Sequence, residues 1–115
     1  MSITIFHNPN CGTSRNVLQM IRDTGVEPEI VQYVKEGWTA EGLKALFAEA
    51  GLTPREAMRT KGELAEGLGL LNEGTSDATI LAAMVEHPVL VERPFVRTRK
   101  GTVLARPKEK VLEVL

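Results

Sequence analysis

The residue best equipped for chemistry is Cys11, the chain's one cysteine. It sits in the run His7-Asn8-Pro9-Asn10-Cys11-Gly12-Thr13-Ser14-Arg15, between a strand-like stretch (2–7) and a segment whose Val17, Leu18 and Ile21 have helical spacing. A cysteine at the entry to a helix faces the N–H groups of the first turn, which have no partner inside the helix, and the positive end of the helix dipole. Both lower a thiol's pKa below its free value. The same amides can bind an oxyanion, so a nucleophile and an anion cradle fall at one spot. The competing reading is an inert core thiol, since free cysteine is commonly buried, but the polar, loop-like context favours reactivity. His7, at the end of the strand, could stabilise the thiolate or move protons, or could be satisfied by backbone. Ser14 could hydrogen-bond the thiolate, although serving the helix start is the commoner job for serine. His87, before Pro88 at a helix-to-strand junction, reads as structural, because nothing in the sequence pairs it with Cys11.

One thiol excludes an internal disulfide and cannot build a structural zinc site alone. If Cys11 does redox chemistry, the second thiol comes from another molecule. The remaining composition narrows the setting. With 115 residues the chain has the length of one domain over 1–115, enough to bury a continuous core. Its apolar fraction of 43% and charged fraction of 25% are those of an ordinary soluble globular protein. A net charge of -1 gives no basic surface for nucleic acid. No apolar run approaches the roughly 20 residues of a membrane helix, and the opening Met1-Ser2-Ile3-Thr4-Ile5-Phe6 lacks the pattern of a secretory signal. The expected compartment is therefore the reducing cytoplasm.

The elements that must position Cys11 follow from local pattern. Residues 2–7 predict a strand, Asn8-Pro9-Asn10 a break, and Gly12 onward a helix closed by Gly25. Residues 29–34 predict a second strand. Thr39 caps a helix carrying Leu43, Leu46 and Phe47, closed by Gly51. Thr53-Pro54-Arg55-Glu56 has an N-cap, a proline at the first helical position and a capping-box glutamate. Residues 62–75 predict short helical pieces and loops. Residues 77–86 predict a helix burying Ile80, Leu81, Met84 and Val85, and Val89-Leu90-Val91 a buried strand. Residues 95–98 and 103–105 predict a hairpin around Lys100-Gly101. Val111, Leu112 and Leu115 predict the inner face of a terminal helix. A β-α-β start implies parallel pairing with a right-handed crossover, and the late hairpin is antiparallel. The expected fold is thus α/β: a thioredoxin-like mixed β-sheet flanked by helices, with a helical insertion between the second helix and the third strand.

The run from His7 to Asn16 closely resembles the active-site loop of the glutaredoxin- and glutathione-linked arsenate reductase (ArsC) family. The resemblance extends to the Thr53-to-Arg59 helix, to Glu86-His87-Pro88-Val89-Leu90-Val91-Glu92-Arg93-Pro94, and to Leu104-Ala105-Arg106-Pro107. In that family three arginines surround the catalytic cysteine, and by local match they fall on Arg59, Arg93 and Arg106. Planar guanidinium suits a tetrahedral oxyanion. Arg22, Arg55, Arg97 and Arg99 read as solvated surface, the usual fate of arginine.

The resemblance implies that Cys11 attacks arsenate held by the arginines, that glutathione then acts as co-substrate, and that glutaredoxin resolves the mixed disulfide as arsenite leaves. No metal or bound organic cofactor is required. It also implies a cis bond at Arg93–Pro94, since thioredoxin-like proteins place a cis-proline opposite the active-site cysteine; Pro88 and Pro107 are expected to be trans. Two alternatives compete: an ArsC-like thiol reductase with another substrate, and an Spx-type regulator that binds RNA polymerase. Those regulators often carry Cys-x-x-Cys, where this chain has Ser14, and they would leave three oxyanion arginines without a role.

Overall fold

Alternation along the first strand sets the sheet's inner face. In β1 (Thr4–Phe6) Ile5 is wholly buried while its neighbours are half-buried. The computed structural model describes residues 2–115. They divide into two compact units, residues 2–36 with 93–115, and the inserted 37–92.

The first unit carries the sheet. After β1 come α1 (Gly12–Asp23), β2 (Glu29–Val31), the single turn α2 (Tyr33–Glu36), β3 (Phe95–Thr98), β4 (Gly101–Leu104) and a 3₁₀ helix at Lys108–Glu113. The strand order is β2-β1-β3-β4. β1 runs parallel to β2 and antiparallel to β3, with Ile5 opposite Val96, and β3 and β4 form the antiparallel hairpin. This is the thioredoxin-like mixed sheet expected from the element order. Ile3, Ile5 and Val96 pack with Val17, Leu18 and Ile21 of α1 and with Ala105, Val111 and Val114, forming one apolar cluster under the sheet. Burial of this cluster fixes the roll of α1, and therefore the direction in which its N-terminal turn meets Cys11.

The second unit is helical: α3 (Ala40–Ala50), α4 (Pro54–Ala57), α5 (Leu64–Gly67), α6 (Asp77–Glu86) and a 3₁₀ turn at Pro88–Leu90. Thr39 accepts from the Gly42 N–H, and Gly51 closes α3 at φ 70°. The capping box at Thr53 and Glu56 is complete, with Pro54 in the first turn. α6 packs against α3 and α4, and Leu43, Leu46, Ile80 and Met84 are fully or almost fully buried.

Several expectations are corrected. β2 stops at Val31, because Gln32 turns the chain into α2 by accepting from the Lys35 and Glu36 N–H groups. Val89-Leu90-Val91 is not a strand. Pro88, with fixed φ and no N–H, begins a tight turn in which His87 and Pro88 carbonyls accept from Leu90 and Val91. Val89 is 37% exposed, and Val91 makes only an isolated antiparallel bridge to Met58. Val85 is half-buried rather than core. The terminal helix is 3₁₀, whose period of three places Val111 and Val114 inward and leaves Leu112 62% exposed. Among the described residues no helix is long and apolar enough to cross a membrane.

Candidate active site

Cys11 is the N-cap residue of α1, in extended conformation, and its carbonyl accepts the first helical hydrogen bond, from Arg15 N–H. It is half-buried and its thiol is free. The loop before it is tightly tied. Asn8 carbonyl accepts from Cys11 N–H at 3.0 Å, Asn8 Oδ1 accepts from Asn10 N–H at 2.9 Å, and Asn8 N–H donates to Ser14 Oγ at 3.1 Å. Arg15 Nη1 donates to the Pro9 carbonyl at 2.8 Å. Ser14 Oγ also meets His7 Nδ1 at 2.6 Å, and both residues are buried.

The thiol's surroundings oppose one another. Burial pushes its pKa up. Against that act the Ser14 backbone N–H, the charge of Arg93, a hydrogen bond from Arg106 and the Thr13 backbone N–H, and together they hold Cys11 below its ordinary value. The expected helix-entry effect is therefore present, and two arginines reinforce it. Arg106 Nη1 lies 3.9 Å from Cys11 Sγ and donates to the Arg93 carbonyl at 3.0 Å. Arg93 is 9% exposed. His7 is held below its ordinary value by burial, with Arg22 and Arg15 adding repulsion, which favours the neutral ring.

The fold thus brings Cys11, Ser14, Arg93 and Arg106 together from three parts of the first unit. His7 joins them through its hydrogen bond to Ser14. The Arg93–Pro94 bond is cis, as expected. The Arg106–Pro107 bond is also cis, against expectation: Pro107 caps the 3₁₀ helix from outside instead of occupying its first helical position, so the argument for trans does not apply. Arg59 belongs to the second unit, where Nη1 pairs with Glu92 at 2.9 Å, both side chains about one-fifth exposed. His87 is the C-cap of α6. Of the arginines expected at the surface, Arg22 is exposed and pairs with Glu27. Arg97 stacks over the Phe6 ring at 5.3 Å. Arg55 is not simply solvated: it donates to the Thr75 and Asn72 carbonyls and ties down that loop. Sequence reasoning passed over Asn8 and Arg15. The available signal for Asn8 was an asparagine directly before proline, a favoured first position of a turn. Among the described residues no cluster of His, Cys, Asp and Glu could hold a metal ion.

A mixed sheet with a lowered-pKa thiol at the β1–α1 junction, met by arginines from the two ends of the β3–β4 hairpin, defines a thiol enzyme of the thioredoxin-like class. The chain belongs to the ArsC family, which it matches over residues 6–114. It is 58% identical to arsenate reductase ArsI2 of Synechocystis sp., over 98% of this chain and 81% of that protein. It is 46% identical to the arsenate reductase of Escherichia coli K12, over 99% and 81%. The solved arsenate reductase from Vibrio cholerae superposes with a TM-score of 0.94 at 40% identity, covering 100% of this chain and 98% of that one.

Proposed function

We propose that this protein reduces arsenate to arsenite, with Cys11 as nucleophile and Arg93, Arg106 and Arg59 as the oxyanion clamp. The observation that carries the reading is Arg106 Nη1 beside Cys11 Sγ, with Arg93 nearly buried next to it. A cation pair beside a thiolate attracts a tetrahedral dianion and neutralises its charge as sulfur approaches. Arg59 enters on the family resemblance alone, and so does the operation of residues 1–115 as one catalytic domain. The names of the relatives support arsenate as the substrate.

In the first step the Cys11 thiolate adds to arsenic(V), and one oxygen ligand leaves as water after taking up protons. The Ser14 and Thr13 amides that lower the thiol's pKa supply fixed positive dipoles to the same region. A glutathione thiolate then attacks the Cys11 sulfur. An S–S bond forms, the S–As bond breaks, and its electron pair stays on arsenic, which departs as arsenite(III). A thiol of glutaredoxin reduces the Cys11–glutathione disulfide and restores the enzyme. His7, neutral at pH 7 and hydrogen-bonded to Ser14, holds the helix entry and can relay a proton through Ser14 Oγ. The glutathione-rich cytoplasm is the compartment that suits these co-substrates. No resident metal or organic cofactor enters the scheme.

The test is arsenate-dependent NADPH consumption by the pure protein with glutathione, glutaredoxin and glutathione reductase. Turnover that needs all components, and that Cys11→Ser abolishes, is the expected result. Absence of turnover with arsenate, under conditions where Cys11 is shown to be reduced, would overturn the assignment.

A further inference from the structure

We propose that Asn8 is the positioning residue of the thiolate loop, setting which backbone amides face the Cys11 sulfur. The inference rests on the reading of Cys11 as the reactive thiol. Asn8 is 6% exposed, although both residues that follow it are solvent-exposed. An asparagine this buried must find partners for its polar groups, and Asn8 spends three of them on the loop that carries Cys11. Its side-chain Oδ1 takes the Asn10 N–H, its carbonyl takes the Cys11 N–H, and its own N–H goes to Ser14 Oγ in the first turn of α1.

These bonds have an electrostatic consequence. The loop and the helix entry together offer a series of N–H groups near the sulfur. Those of Asn10 and Cys11 are engaged by Asn8 and point back into the turn. Those that stabilise the thiolate come just after Gly12, at Thr13 and Ser14. Asn8 thus fixes the turn with one edge of amides directed inward and the following edge left for sulfur. Pro9 has no N–H to compete, and Arg15 Nη1 donates to the Pro9 carbonyl. An asparagine at the first position of a turn with proline second is the arrangement in which a side-chain amide oxygen reaches the N–H two residues on. Alanine there would keep the backbone contacts but lose the one bond that fixes Asn10. The turn could then rotate, and the sulfur would leave the line of the Thr13 and Ser14 amides.

The experiment is the pH dependence of Cys11 alkylation in Asn8→Ala, Asn8→Ser and wild type, with melting temperatures recorded in parallel. The neutral serine hydroxyl makes the same turn contact more weakly, so it serves as the conservative rescue. Asn8→Ala should move the alkylation midpoint upward by about half a pH unit or more, and Asn8→Ser should recover part of that shift. A residue that merely stabilised the fold would change the melting temperature and leave the midpoint of the folded protein in place. That outcome, or equal shifts in the Ala and Ser variants, would overturn the proposal. If Asn8→Ala does not fold, Asn8→Gln replaces it: the same amide carried one methylene farther out should also raise the midpoint, and an unchanged midpoint refutes the idea. Because alkylation needs no arsenate, a failure of the arsenate assignment would be seen separately, as a wild type that alkylates at low pH without turning over.

Discussion

Cys11 feels two opposing influences, and the balance is measurable. Burial disfavours the thiolate, while helix amides and two arginines favour it, and the net result is a lowered pKa. The alkylation midpoint of the wild type should fall below the free-cysteine value of ~8.5, and a midpoint at or above it would contradict the electrostatic account. Cys11→Ser should eliminate turnover, since a hydroxyl is a far weaker nucleophile near neutral pH. Arg106 Nη1 lies 3.9 Å from the sulfur. A hydrogen bond to a charged group contributes about 1.5–3 kcal/mol, so Arg106→Ala should lower kcat/KM for arsenate roughly ten- to a hundredfold. It should also raise the alkylation midpoint. Arg106→Lys should restore only part of either: Nη1 alone meets both the sulfur and the Arg93 carbonyl, but a lysine ammonium is a point charge without the planar, multiply donating guanidinium that suits an oxyanion. His7 makes a stability prediction. Its folded pKa lies below 6.5 because the ring is buried and faces Arg22 and Arg15. Below pH 6.5 the unfolded chain binds this proton and the folded one resists it, so the contribution is complete above 6.5 and is lost as pH falls toward the folded value. Between pH 7 and pH 5 the melting temperature of the wild type should drop further than that of His7→Gln; identical drops would show that His7 does not titrate as described.

At the scale of elements, α4 and the segment around Glu92 are joined side by side. Met58 bridges Val91, Arg59 N–H donates to the Leu90 carbonyl, Glu92 N–H donates to the Ala57 carbonyl, and Arg59 pairs with Glu92. Arg59 therefore has structural work as well as its proposed part in the clamp. Arg59→Ala leaves a partly buried carboxylate behind, so it should lower the melting temperature more than Arg106→Ala does. A double-mutant cycle of Arg59→Ala with Glu92→Ala should give a coupling of about 0.2–1 kcal/mol; no coupling would mean that the pair contributes nothing to joining these segments. Element boundaries also show what the sequence could disclose. Caps were legible because their chemistry is local: Thr39, Thr53 with Glu56, and Gly51 all behave as their residue types require, whereas the hairpin turn falls one residue earlier than expected, at Arg99-Lys100, with Gly101 already paired to Thr98 in β4. Val89-Leu90-Val91 was not, because three apolar β-branched and branched residues in a row suit a strand, a buried helix or a turn equally, and Pro88 decided it. The terminal segment failed for a related reason. An apolar pattern of Val111, Leu112, Val114 and Leu115 fits periods of both 3 and 3.6, and only packing against the sheet selects the inward pair.

At the scale of the whole molecule, the parts of the site differ in how far they could be read. Cys11 at a helix entry follows from its immediate neighbours. Arg93 and Arg106 do not: each looks like a surface arginine beside a proline, and only the β3–β4 hairpin carries their two ends to the β1–α1 junction. Sequence resemblance supplied what local physics could not. The count of one cysteine makes a further demand that no folding detail alters. Reduction of arsenic(V) to arsenic(III) takes two electrons, and one thiol becoming half of a disulfide needs another thiol as its partner. The chain has no second thiol to offer, so in the proposed route the oxidised enzyme carries glutathione as that partner until a third thiol removes it. With arsenate and glutathione present and glutaredoxin omitted, intact-mass analysis should show the protein carrying a single glutathione, bound through a reducible disulfide at Cys11. Adding glutaredoxin should return the mass to that of the free chain. The adduct should be absent from Cys11→Ser, and its formation should depend on arsenate. Release of arsenite without any such adduct, or adduct formation at the same rate without arsenate, would show that reduction takes another route than attack of glutathione on the Cys11 sulfur.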